Sequence, residues 1–123
     1  MKKILLVEDD PLLIDIYTTK LQQSGFEVQV VEQGEKVLAA IQKEKPAVVL
    51  LDIVLPHVDG WDILQQVQAS EELKHIPIII LSNLGQKEEI EKGLRLGAVR
   101  YLIKAHYTPS QIVEEVVKLT GSL

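Results

Sequence analysis

With 123 residues, 46% hydrophobic and 25% charged, the chain fits one globular domain, 1–123, large enough to bury a core without covalent staples. The absence of cysteine excludes a disulfide frame and a thiolate metal site, and the net charge of −5 argues against direct, unaided nucleic-acid binding, which relies on basic surface. No apolar run reaches the length of a membrane span, and the run after Lys3 is too short for a secretory signal, so a cytoplasmic protein with no membrane partner is expected.

Short apolar runs alternate with stretches of helical period. The first run, Ile4 to Val7 within a strand over 3–7, is unbroken and suits a strand covered on both faces. Asp10 before Pro11 reads as an N-cap with proline at the first helical position, opening a helix over 11–23 whose Leu13, Ile16, Tyr17 and Leu21 recur at three and four. Gly25 stands where that helix should stop. The alternation of Glu27, Val28, Gln29 and Val30 predicts a half-exposed edge strand over 27–31, followed by a helix over 34–44. A buried strand over 47–51, a helix over 60–69, a strand over 77–81 and a helix over 86–96 come next, with Gly97 as the stop. A strand over 99–103 and a helix over 109–119 complete the chain; Thr108, Pro109 and Gln111 form a capping box with proline.

Repeated βα units imply a parallel sheet between two helical layers. For right-handed crossovers to fill both layers the strand order must reverse, and with the edge-like second strand outermost the order is 2-1-3-4-5. Strands one and three then flank the crevice at the reversal, the usual ligand site. Glu8 and Asp9 follow the first strand, Asp52 the third, Ser82 the fourth and Lys104 the fifth, so all five meet at one edge.

Such a set suits a divalent cation and a phosphoryl group. Carboxylates about 5 Å apart repel by roughly 3 kcal/mol per pair at an effective dielectric near 20, so three need compensation. Lys104 supplies one charge and Mg²⁺ two; magnesium takes one or two carboxylates, keeps waters and accepts phosphate oxygens. Asp9 and Asp52 are the expected direct ligands, with the backbone carbonyl of Val54 as a third and Glu8 acting through water. Asp52, at the end of the central strand, is the candidate nucleophile that becomes an acyl phosphate, with Lys104 and the Ser82 hydroxyl each holding a phosphoryl oxygen.

The stretches from Lys3 to Asp10, from Leu51 to Pro56 with Asp59-Gly60, Ile80-Leu81-Ser82, Gly97-Ala98 and Tyr101 to Lys104 resemble the receiver domain of bacterial two-component response regulators, in order and spacing across the chain. The resemblance is to the stand-alone, chemotaxis-regulator type. It implies a flavodoxin-like fold, phosphotransfer from a sensor histidine kinase or phosphotransfer protein to Asp52, and no enzymatic activity beyond the domain's own phosphorylation and dephosphorylation. It further implies that Ser82 and Tyr101 turn inward together on phosphorylation, reshaping the face made by the fourth helix, fifth strand and fifth helix for a downstream protein. A monomer, or a dimer formed on phosphorylation, is expected.

The chain departs from the family at Ala105 and Asn83. Ala105 replaces the usual proline after the lysine, and because a non-proline cis bond costs ~2.5–4 kcal/mol a trans Lys104–Ala105 bond is expected. Asn83 stands where a smaller residue is usual and is expected to crowd the path of Tyr101. Val54 and Leu84 flank the route of an attacking water and cannot orient it, so a slowly hydrolysing phosphoryl state is expected. The spacing of His57, His75 and His106 matches neither a zinc site nor a helical histidine motif and they are expected to be exposed, whereas Trp61 should pack partly buried. The alternatives are an excised receiver of a larger regulator, against which Met1 and the ending at 119–123 weigh, and a haloacid-dehalogenase-type aspartyl phosphatase, against which Val54 weighs because that pattern has a second aspartate there. A flavin carrier on the same fold is disfavoured by the anionic loop from Glu8 to Asp10, which would repel a flavin phosphate.

Overall fold

The computed structural model describes residues 1–121; Ser122 and Leu123, included in the expected domain, lie outside them. Strands β1 (Lys3–Val7), β2 (Glu27–Val31), β3 (Val48–Leu51), β4 (Ile78–Ser82) and β5 (Arg100–Ile103) form a parallel sheet in the order β2-β1-β3-β4-β5, the expected flavodoxin-like topology. The helices are α1 (Pro11–Gln23), α2 (Val37–Glu44), α3 (Gly60–Ala69), α4 (Lys87–Arg95) and α5 (Pro109–Thr120).

Alternation along the strands divides the core in two. Ile4, Leu6, Val48, Leu50, Ile79 and Leu81 face α1 and α5, where they meet Tyr17, Leu21, Ile112 and Val116. Leu5, Val7, Val49, Leu51, Ile78 and Ile80 face the other layer and meet Val37, Ile41, Ile63, Leu64 and Val67. Helix packing on both faces is why β1, β3 and β4 read as continuous apolar runs. The edge strand β2 instead keeps Glu27 and Gln29 exposed.

Capping fixes where the helices begin. Asp10 accepts the N–H groups of Leu12 and Leu13 at 2.9 and 3.4 Å. Thr108 and Gln111 close their box with bonds of 2.8 and 3.1 Å. A further box, Gln86 with Glu89, opens α4 one residue later than expected. Gly25 and Gly97 have φ of 91° and 109°, as left-handed helix stops require.

Two further local features differ from expectation. The segment over 34–44 begins as a 3-10 turn, Gly34–Lys36, before the α-helix proper. There a β-carbon on Gly34 would lie 2.7 Å from Val58 Cβ, so the glycine lets the main chain pass close to the Val58 side chain. Val58 belongs to an unexpected hairpin, in which Val54–Leu55 pairs antiparallel with Val58–Asp59 and His57 turns the chain at φ 69°. The hairpin seats on α3 because Gly60 has no side chain: its β-carbon would lie 2.5 Å from Ile53 Cα.

No helix among the described residues is long and apolar enough to cross a membrane.

Candidate phosphoacceptor site

Among the described residues the buried polar and charged ones are Glu8, Asp52 and Ser82, which are 1%, 6% and 0% exposed. All three sit at the carboxyl edge of the sheet. The ladder runs one residue past the strands to place the acids: the Glu8 N–H donates to the Val31 carbonyl and the Asp52 N–H to the Val7 carbonyl, each at 3.1 Å. Ser82 is the last residue of β4 and not the first beyond it, one position later than the sequence predicts.

Lys104 enters from the 3-10 turn Lys104–His106 that follows β5. Its ammonium lies 2.7 Å from Glu8 Oε1 and 2.9 Å from Asp52 Oδ2. The remaining oxygens of the two acids are also engaged. Glu8 Oε2 accepts the N–H groups of Asp9 and Asp10 at 3.2 and 3.1 Å, and Asp52 Oδ1 accepts that of Val54 at 3.0 Å. The Ser82 Oγ accepts the Leu84 N–H at 3.2 Å, and as a hydroxyl it can also donate.

Burial pushes the Asp52 carboxyl above its ordinary value, against the hydrogen bond and charge of Lys104 and the Val54 N–H, which pull it down. For Lys104 burial acts downward but is outweighed by the hydrogen bonds and charges of Glu8 and Asp52, so the ammonium is held above its ordinary value.

Asp9 is exposed at the lip of the same cleft. Oxygens from Glu8, Asp9 and Asp52 all lie within 4.8 Å of one another. Hard carboxylate oxygens in this arrangement fit a hard divalent cation and not zinc, which favours nitrogen and sulfur ligands. The cavity above them, about 640 Å³, is walled on its apolar sides by Pro11, Leu13, Val54 and Leu84.

The expected site residues are therefore together. Tyr101 stands to one side, half-buried against the α3-facing core, with its hydroxyl donating to the Leu84 carbonyl. Asn83 does not simply crowd that path: its Oδ1 accepts the Ala105 N–H at 3.1 Å. The Lys104–Ala105 bond is trans, as expected. His57, His75 and His106 are exposed, and no histidine joins an acid cluster among the described residues. Trp61 is half-buried on α3, with the Lys92 ammonium 4.7 Å from its ring centroid.

Residues 4–117 match the model of the response regulator receiver domain. The chain belongs to that family. As a receiver domain it is a component of two-component signalling. It is 35% identical over 104 residues to the DNA-binding dual master transcriptional regulator RpaA of Synechocystis sp., covering 85% of this chain and 43% of RpaA. It is also 35% identical to the regulatory protein VanRc of Enterococcus gallinarum, covering 94% of this chain and 48% of VanRc. The receiver thus spans less than half the length of these relatives. Among solved structures, a response regulator from Chloroflexus aurantiacus superposes with a TM-score of 0.89 at 28% identity, covering 98% of each chain. The Mn(2+)-bound form of response regulator Rcp1 does so with a TM-score of 0.84 at 26% identity, covering 96% of this chain and 93% of that one.

Proposed function

We propose that this receiver is a phosphorylation switch in which Asp52 takes a phosphoryl group from the phosphohistidine of a sensor kinase or phosphotransfer protein. The observation that carries the reading is Lys104, placed between two buried acids at 2.7 and 2.9 Å beneath an open cavity. A buried ammonium shared by two carboxylates is a site already balanced to exchange one anionic partner for another.

In the transfer, a carboxylate oxygen of Asp52 bonds to phosphorus as the donor's phosphorus–nitrogen bond breaks and the imidazole departs with the electron pair. No general base is needed, because the ionised carboxylate is the nucleophile. Asp9, Asp52 and the Val54 carbonyl would hold Mg²⁺, with Glu8 acting through water, and the Mn(2+)-bound form of Rcp1 supports a divalent cation at this cluster. When bound, the ion neutralises developing phosphoryl charge. Lys104 neutralises a second oxygen, and the Ser82 hydroxyl donates to a third.

Engaging Ser82 and Lys104 pulls on the loop whose Leu84 carbonyl holds the Tyr101 hydroxyl. That link supports transmission to the face of α4, β5 and α5, read by a downstream protein. Val54, 58% exposed, and Leu84 line the cavity mouth without a group to orient water, so the phosphoryl state is long-lived. A second reading concerns output: coverage of only 43% of RpaA, a DNA-binding regulator by name, favours a receiver that works with a separate DNA-binding region over one that excludes nucleic acid.

The test is labelling with acetyl phosphate and Mg²⁺ followed by intact mass. Wild type should gain one phosphoryl mass that Asp52→Asn does not, and equal labelling of the two refutes the assignment.

A further inference from the structure

Ser82 and Lys104 are carried by separate segments, the loop from β4 to α4 and the turn after β5. The residue following each of them joins the two. Ala105 donates its backbone N–H to Asn83 Oδ1 at 3.1 Å, across 22 positions of sequence. A backbone N–H can be met only by the carbonyl end of an amide side chain, so this bond sets which end of Asn83 faces the turn.

Apart from the Lys104 ion pairs and the packing of Tyr107 on the core, the main chain of the turn is weakly tied. Its own closing bond, from the Tyr107 N–H to the Lys104 carbonyl, is 3.4 Å, and Ala105 and His106 are exposed. Lys104 has a long flexible stem, so its approach to Glu8 and Asp52 depends on where the turn places its Cα. We propose that Asn83 is a positioning residue for the acceptor site, holding the Lys104 turn against the loop that carries Ser82 through the Ala105 N–H. The inference rests on the reading of Asp52 as acceptor.

Asn83 is exposed and lines the mouth of the cavity, so its truncation leaves the core intact. Two measurements on wild type, Asn83→Ala and Asn83→Asp decide the matter. In amide hydrogen exchange followed by NMR, the Ala105 N–H should exchange about tenfold faster in Asn83→Ala and stay near wild type in Asn83→Asp, which keeps an acceptor oxygen. In acetyl phosphate labelling with Mg²⁺, the limiting rate of Asn83→Ala should fall about three- to tenfold, the factor expected for one lost hydrogen bond, with the donor's half-saturation concentration unchanged. A limiting rate within twofold of wild type overturns the proposal. So does a slowed rate with unchanged Ala105 exchange, which would show Asn83 acting by another route. If wild type takes no label, the acceptor reading falls and this proposal with it, whereas a labelled wild type matched by Asn83→Ala leaves that reading standing and removes only this one.

Discussion

Asp52→Asn is expected to make the metal-free protein more stable at neutral pH, although it removes one arm of an ion pair. At 2.9 Å and an effective dielectric near 20, Lys104 attracts Asp52 by roughly 6 kcal/mol. Glu8, with an oxygen within 4.8 Å, repels it by roughly 3 kcal/mol, and exposed Asp9 adds a smaller, screened amount. The surplus of about 2 kcal/mol is less than the several kcal/mol that burying a carboxylate costs. Asparagine keeps an acceptor for the Val54 N–H and leaves Lys104 paired to Glu8, so a net gain of about 1–2 kcal/mol is expected. The pH dependence follows from the raised carboxyl. Below the ordinary value of 3.8 Asp52 is protonated whether folded or unfolded and carries no penalty; the penalty builds as pH rises through 3.8 and is complete above the higher folded-state value. The advantage of the variant should therefore be full at neutral pH and disappear on acidification. Urea midpoints in chelator at neutral and acid pH measure it. A variant no more stable than wild type at neutral pH, or a gain undiminished in acid, refutes the reasoning.

The opposite change, Lys104→Met, leaves Glu8 and Asp52 facing each other without a cation and should cost about 3–5 kcal/mol in the same urea titration. Mg²⁺ should raise the wild-type melting temperature in proportion to the logarithm of its concentration and have little effect on Asp9→Asn, an exposed change that by itself leaves the metal-free melting temperature unaltered. Val54→Asn combined with Leu84→Glu should shorten the phosphoryl lifetime about ten- to a hundredfold, read as phosphate release after donor removal. Gly93→Ala should lose about 1–2 kcal/mol despite alanine's better helix propensity, because its β-carbon would lie 2.6 Å from Ile80 Cδ1 and 2.9 Å from Tyr101 Cδ2. Tyr101→Ala should recover part of that loss in urea melts.

What the sequence discloses divides by scale. The unbroken runs Ile4 to Val7 and Ile78 to Leu81 reveal their strands because a sheet covered on both faces demands apolar residues at every position. Asp10-Pro11 and Thr108-Pro109 reveal their helices because capping is local chemistry. The gathering of Glu8, Asp9, Asp52, Ser82 and Lys104 follows from parallel topology alone, since every strand ends at the same edge. The hairpin from Val54 to Asp59 left no signal, because two-residue strands are too short for any period. His57 at positive φ was equally hidden. Magnesium's preference for one or two carboxylates points Glu8 to a water-mediated role; its direct pairing with Lys104 and its two backbone donors depend on atomic positions that no motif encodes. The Asn83–Ala105 bond spans two loops, so neither residue announces the other.

The acids and the lysine differ in how they are secured. Glu8 and Asp52 follow the inner strands β1 and β3 and are pinned by main-chain bonds to Val31 and Val7, whereas Lys104 follows the edge strand β5 on a turn whose closing bond is long. A phosphoryl group arriving at Asp52, as proposed, would therefore meet two stationary posts and one swinging gate. On the proposed reading the recoil would run outward, to the border of the molecule where another protein could feel it, while the interior stayed still.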